Sequence, residues 1–279
     1  MTPMPFESTV LSIHRDDNVA TIWLDRPEAR NAMGPEFWVD LPRAVADLDA
    51  DDEIRCIVIA ARGPHFSVGL DLKAMGAGLL GGGERGSSSQ AVKNANLHTQ
   101  IRSMQDSITS VAACTKPVIA AIHGYCIGGG VDLIAACDIR LSSADAVYSV
   151  REAKVAIVAD IGSLQRLPRI IGMGHVAELA LSGKDISARR AEAIGLVNDA
   201  EGDADAVFAR ALELAREIAA NSPLAVQGTK AVLAAGDGKT IQEGLDYVAA
   251  WNTMFISSND LGEAMASFIE KRPARYSGT

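Results

Sequence analysis

The chain has 279 residues, of which 48% are apolar, and 26 basic against 35 acidic side chains leave a formal net charge of −9. This length and apolar content suit one large domain with a sizeable core. An acidic chain without a basic block disfavours a nucleic-acid partner, which would need a basic face for phosphate, and no run of apolar residues is long enough for a membrane span.

In chain order, residues 10–14 and 19–24 are apolar or alternating around Asp16-Asp17-Asn18 and predict a β-hairpin. Phe37, Leu41, Val45 and Leu48 give helical spacing over residues 36–49, with Pro42 as a kink or boundary signal. The run IRCIVIA at residues 54–60 predicts a buried strand. Residues 76–90 are rich in Gly and Ser and read as a flexible loop. A long helix is expected over residues 94–114, a buried strand over 118–122 and a helix opening at 128–136. Strand-like segments follow at 138–142 and 147–150, and after residue 203 only helices are expected, at 204–220, 223–235 and 261–271. Thr240 and Glu243 form a capping box, and Asp260 reads as the cap of the last helix.

Cys56, Cys114, Cys126 and Cys137 show neither CxxC nor Cys/His spacing. No metal site is expected, and the thiols read as reduced core residues of a cytoplasmic protein. The N-terminal stretch shows no leader pattern, and the last four residues carry no peroxisomal address.

Two segments share a design: PHFSVGLDL at residues 64–72 and HGYCIGGGVDL at 123–133. Each follows a buried strand and carries small residues where the chain turns into a helix. Two backbone N–H groups aimed at one point there would hold an oxyanion. A purely structural Gly-rich turn is the alternative. Dinucleotide, P-loop and nucleophile-elbow spacings are all missing.

Together LDRPEARNAM, HFSVGLDL, KPVIAAIHGYCIGGGVDLIAACDIRLSS, LQRLPRIIG, AEAIGLVN and FIEKRP resemble the enoyl-CoA hydratase/isomerase (crotonase) family across nearly the whole chain. The resemblance implies an α/β fold, a crotonase-like spiral of ββα turns over residues 1–203, with an all-helical C-terminal region at 204–279 that mediates trimer contacts. A homotrimer or homohexamer is implied. It further implies an acyl-CoA thioester as substrate, no cofactor, and the N–H groups of Val68 and Gly129 as the oxyanion hole. Such a hole contributes about 3–4 kcal/mol per donor. CoA contacts are implied at Arg26, Ala29 and Arg30, at Val68, Gly69, Leu70, Asp71 and Leu72, and at Phe268 and Lys271 reaching from a neighbouring subunit. Lys271 also fits as an ordinary helix-end cation.

Three acids narrow the resemblance. Asp132 and Glu152, twenty residues apart, match the two glutamates of hydratases, and Asp160 stands eight residues further on, where hydratases have a turn glycine. Asp, Glu and Asp at these places, with the ADxGxLQRLP run, resemble the Δ3,5-Δ2,4-dienoyl-CoA isomerases. Moving two double bonds from 3,5 to 2,4 removes a proton at C2 and adds one at C6, so two carboxylates along the acyl chain divide the work. Glu152 is assigned to C2 and Asp160 to C6, with Asp132 polarising or holding the diene or shaping the field of the other two. The apolar VAIVA run at residues 155–159 is expected to keep the gap between the acids dry, and an aspartate at a turn-glycine position is expected to occupy left-handed backbone. Each acid also has a structural reading: Asp132 favoured by a helix N-terminus, Glu152 solvated beside Arg151 or Lys154, Asp160 a helix cap. The alternatives in function are an enoyl-CoA hydratase and a non-catalytic acyl-CoA-binding protein.

Overall fold

The structure is a computed structural model and describes residues 6–79 and 89–279. The N-terminal residues 1–5 and residues 80–88, including Arg85 of the Gly-rich segment, lie outside the described residues.

The hairpin forms as expected, with β1 (Leu11–Asp16) antiparallel to β2 (Val19–Leu24). A short 3-10 turn, Pro27–Ala29, leads to α1 (Pro35–Asp49), which continues through Pro42. Next come β3 (Cys56–Ala61), α2 (Leu72–Leu79), α3 (Gln90–Ala113), β4 (Val118–Ile122), β5 (Tyr125–Ile127) and α4 (Gly129–Ala135). The chain continues through β6 (Ile139–Ser142), β7 (Val147–Ser149), a 3-10 turn at Glu152–Val155, α5 (Ser163–Ile170), α6 (Met173–Ser182), β8 (Ile186–Ser187), α7 (Ala188–Ala193) and β9 (Asp199–Ala200). Four helices close it: α8 (Ala204–Ala219), α9 (Pro223–Ala235), α10 (Ile241–Phe255) and α11 (Asn259–Glu270). The Gly-rich segment is therefore shorter than the sequence suggests: 76–79 complete α2, and α3 already starts at Gln90, capped by Ser89.

The main sheet has the order β1-β2-β3-β4-β6-β9, parallel throughout except for the β1–β2 hairpin. A second sheet runs β5-β7-β8, and an isolated parallel bridge from Ser67 to Cys126 extends it. So β3, β4 and β6 are each followed within a few residues by a segment of the second sheet and then by a helix. This is the repeated ββα turn. Alternation along the strands splits the core. Ile57, Ile59 and Ala120 face α1, α3 and α4, while Val58, Ala60 and Ala121 face α8. Ala211, Ala215 and Ala219, spaced one turn apart, let α8 lie close on the sheet.

That packing moves the boundary expected at residue 204, because α8 covers one face of the main sheet and belongs to the body. The helices that stand apart are α9 to α11: α9 buries only Gly228 and α10 buries nothing. The Thr240–Glu243 capping box forms. Asp260 is not the cap of α11. Ser258 fills that place, and the buried Asp260 turns inward to accept from Ser222 Oγ (2.6 Å) and the Ser277 N–H (2.7 Å).

Candidate active site

The GGG elbow places the first acid. Gly128 has φ +54°, which glycine adopts without steric cost, and its N–H donates to Ser149 O at 2.9 Å. That tie sends the chain directly into α4, whose first turn carries Asp132. Asp132 is fully buried. Its Oδ1 accepts the Ser163 N–H at 2.5 Å, and its Oδ2 has no partner among the described residues.

Glu152 opens the 3-10 turn after β7. Its Oε1 lies 3.3 Å from where a Cβ on Gly128 would stand, so the carboxyl rests against the elbow, and its buried Oε2 is also unpartnered. Asp160 follows half-buried, and its carbonyl accepts from Gln105 Nε2 at 2.6 Å.

All three carboxyls hold protons more tightly than usual. Burial pushes Asp132 up to about 7, helped by the Glu152 charge and opposed by Ser163 and Arg166. Burial also raises Glu152, with Asp160 adding to it, and burial raises Asp160. The pairwise effects give the order Asp132, Glu152, Asp160, with Glu152 in the middle. The structure thus brings the three sequence-marked acids into one electrostatically coupled group. Two unpartnered buried carboxylate oxygens are costly for stability and characteristic of reactive sites.

The expected dry wall is not where the sequence suggests. Val155 is 46% exposed and Val158 74%, so in this chain the 155–159 run faces outward and only Ala159 is buried. Nor does Asp160 take up left-handed backbone; Ala156 and Gly162 do so instead. Burial of the acids comes from the elbow and from α3, α4 and α5.

The oxyanion assignment also shifts. The Val68 N–H donates to Arg30 O at 3.2 Å, and the Gly69 N–H to Ser67 Oγ at 3.1 Å, so neither points free. The Leu70 N–H has no hydrogen-bond partner among the described residues, although its neighbours pair with Met33: Met33 N–H to Gly69 O (2.8 Å) and Asp71 N–H to Met33 O (3.0 Å). Gly69 packs against the second elbow. A Cβ on it would come within 3.0 Å of Gly129 N, which brings the Leu70 and Gly129 amides close together. Gly129 opens α4, so its N–H has no carbonyl within the helix to bond.

Among the expected CoA contacts, Arg26 and Asp71 bind each other (Nη1 to Oδ2, 2.9 Å), and Asp71 caps the start of α2 through the Lys73 and Ala74 N–H groups. Arg26 is therefore tied into the loop through Nη1. Arg30 is exposed in left-handed backbone, next to the half-buried Ala29, and Leu72 is exposed. Phe268 is 83% exposed and Lys271 exposed; no hydrogen bond or ion pair among the described residues joins them to the 26–30 or 68–72 segments. His123 is a turn residue, with Nε2 2.8 Å from Gly63 O, and His98 is exposed on α3. Sequence reasoning placed Leu70 among the CoA contacts but not its open amide, and it missed Ser163, Arg166 and Gln105; only the LQRLP run drew attention to that part of the chain.

A two-sheet ββα spiral with a glycine elbow, neighbouring open amides and a group of wholly or partly buried acids is the pattern of an acyl-CoA-processing class. The chain belongs to the enoyl-CoA hydratase/isomerase family, whose sequence profile matches residues 14–279, and the crotonase fold expected from the sequence is the one observed. A relative from Arabidopsis thaliana named Delta(3,5)-Delta(2,4)-dienoyl-CoA isomerase, peroxisomal, is 41% identical over 270 residues, covering 96% of this chain and 95% of its own. The mitochondrial protein of the same activity name from Dictyostelium discoideum is 44% identical over 264 residues, covering 94% and 89%. Among solved structures, enoyl-CoA hydratase from Bacillus anthracis superposes with a TM-score of 0.86 at 28% identity, covering 97% of this chain and 100% of its own. Fold likeness alone therefore does not separate hydratase from isomerase; the site has to.

Proposed function

We propose that this protein converts 3,5-dienoyl-CoA thioesters to 2,4-dienoyl-CoA thioesters. The observation that supports the reading is the third acid: the Asp160 charge acts on Glu152, and Glu152 in turn on the buried Asp132. Relatives of 41% and 44% identity bear the isomerase name.

The thioester oxygen sits between the Leu70 and Gly129 amides. Ionised Glu152 removes a C2 proton, and the electrons pass into a dienolate whose charge those amides hold. Collapse of the dienolate forms C2=C3 and C4=C5 while protonated Asp160 delivers its proton to C6. Glu152 then releases its proton and Asp160 regains one from solvent. Raised proton affinity suits both roles, a stronger base at one end and a carboxyl that keeps its proton to higher pH than usual at the other. Asp132 stays put and sets the field. Only protons move, so the chemistry calls for no redox or metal cofactor.

We assign Arg30 to the CoA phosphates, a role that its exposure supports. Phe268 and Lys271 complete the CoA site from a neighbouring copy in a trimer or hexamer, which their exposure supports. Four buried free thiols fit a reducing compartment, and the cytoplasm is our reading, although the two relatives are named for peroxisome and mitochondrion.

The rival hydratase reading rests on the solved relative's name. A non-catalytic binder would have no use for unpartnered buried carboxylates. Ultraviolet assays with 3,5-octadienoyl-CoA and crotonyl-CoA separate the three: a 2,4-dienoyl chromophore supports the isomerase, loss of the crotonyl band alone the hydratase, and no change in either defeats both enzymatic readings.

A further inference from the structure

Asp160 is held by very little. Among the described residues its one hydrogen bond to another residue is the carbonyl contact from Gln105 Nε2 (2.6 Å). Gln105 lies on α3, and one turn later on the same face Thr109 Oγ1 accepts from Arg166 Nη2 at 2.9 Å. The same guanidinium donates to Ile161 O from Nη1 (3.4 Å) and fills the space beside Gly162, where a Cβ would coincide with it. Two side chains of one helix thus grip the 160–166 segment at both ends. The helix itself is fixed: Met104 and Ile108, adjoining them in sequence, are 3% and 0% exposed. Arg102 steadies Gln105 through Oε1 at 2.9 Å.

We propose that Gln105 and the Thr109–Arg166 pair form a latch through which α3 sets the position of the Asp160 carboxyl at the far end of the dienoyl chain. These are positioning residues, and the proposal rests on the reading that Asp160 serves C6. Misplacement of a reacting group by about 1 Å costs on the order of 100-fold in rate. Releasing the latch should therefore impair proton delivery at C6 and leave proton removal at C2 intact.

The test follows two half-reactions in D2O: deuterium wash-in at C2 of 3,5-octadienoyl-CoA by mass spectrometry, and appearance of the 2,4-dienoyl chromophore. For Gln105→Met, isomerisation is expected to fall at least about 10-fold while C2 exchange and KM stay within about two-fold. Thr109→Val should show the same split to a smaller degree, and Thr109→Ser, which keeps the acceptor, should match wild type. Thr109→Val also covers the case in which Gln105→Met fails to fold. Exchange and isomerisation falling together, or neither falling, overturns the latch. Asp160→Asn separates the two levels: if it divides exchange from isomerisation and the latch variants do not, only the latch is wrong; if it loses both together, the C6 assignment fails and the latch with it.

Discussion

Asp132 is fully buried with one oxygen unpartnered, and its proton affinity reaches about 7 against 3.8 for a free side chain. A carboxyl raised on folding favours the folded state fully below the unfolded value, and that advantage is lost as pH rises from about 4 through about 7. Asp132→Asn keeps an acceptor for the Ser163 N–H and removes the buried charge. It is expected to raise the melting temperature at pH 8 relative to wild type, with a gain in stability below the roughly 4 kcal/mol that a three-unit shift represents, and to flatten stability between pH 4 and 7. Thermal melts across pH check this; an unchanged slope would contradict it. At this scale spacing was informative about the acids, since 132, 152 and 160 do meet. It was silent on backbone partners. Nothing in HFSVGLDL says that Arg30 O takes the Val68 N–H and leaves that of Leu70 open, because the competing carbonyl comes from a loop 38 residues away. The exposure of Val155 and Val158 was equally hidden, since apolar character does not specify which surface covers it.

The elements were largely legible where local chemistry decides them. The hairpin, β4 and α9 follow apolar patterning and turn residues, and the Thr240 box fixes the start of α10. Pro42 stands inside α1 because the packing of Phe37, Leu41, Val45 and Leu48 outweighs one lost helical hydrogen bond. Two-residue strands such as β8 and β9 exist only as partners of β7 and β6, so no local signal announces them. Asp260 misled for a related reason: it stands two residues past the true cap, and its partners Ser277 and Gly278 are distant in sequence. Gly228 marks the close approach of α9 and α10, since a Cβ there would run into Trp251 Nε1. Gly228→Ala is expected to destabilise by about 1–3 kcal/mol through overpacking, despite the better helix propensity of alanine. Denaturant melts measure it, and a gain in stability would show that the contact relaxes freely.

Across the whole molecule, the body holds nearly all of the buried apolar core, and the C-terminal helices α9 to α11 bury almost none. Ile241 is 84% exposed, Met254 72% and Ile269 78%, which is costly for an isolated chain and natural for a face between copies. Light scattering is expected to give a trimer or hexamer, and Phe268→Asp should weaken CoA binding while leaving the three acids in place. A stable monomer with full activity would remove the neighbour from the CoA site. The central claim is that two acids divide the proton transfers. It is tested most directly with 3,5-octadienoyl-CoA carrying deuterium at C2, converted in ordinary water and read by NMR of the product. Delivery by Asp160 puts a solvent proton at C6 and leaves that carbon free of label. Deuterium carried from C2 to C6 would mean that a single carboxylate moves the proton along the chain, and the account would be wrong.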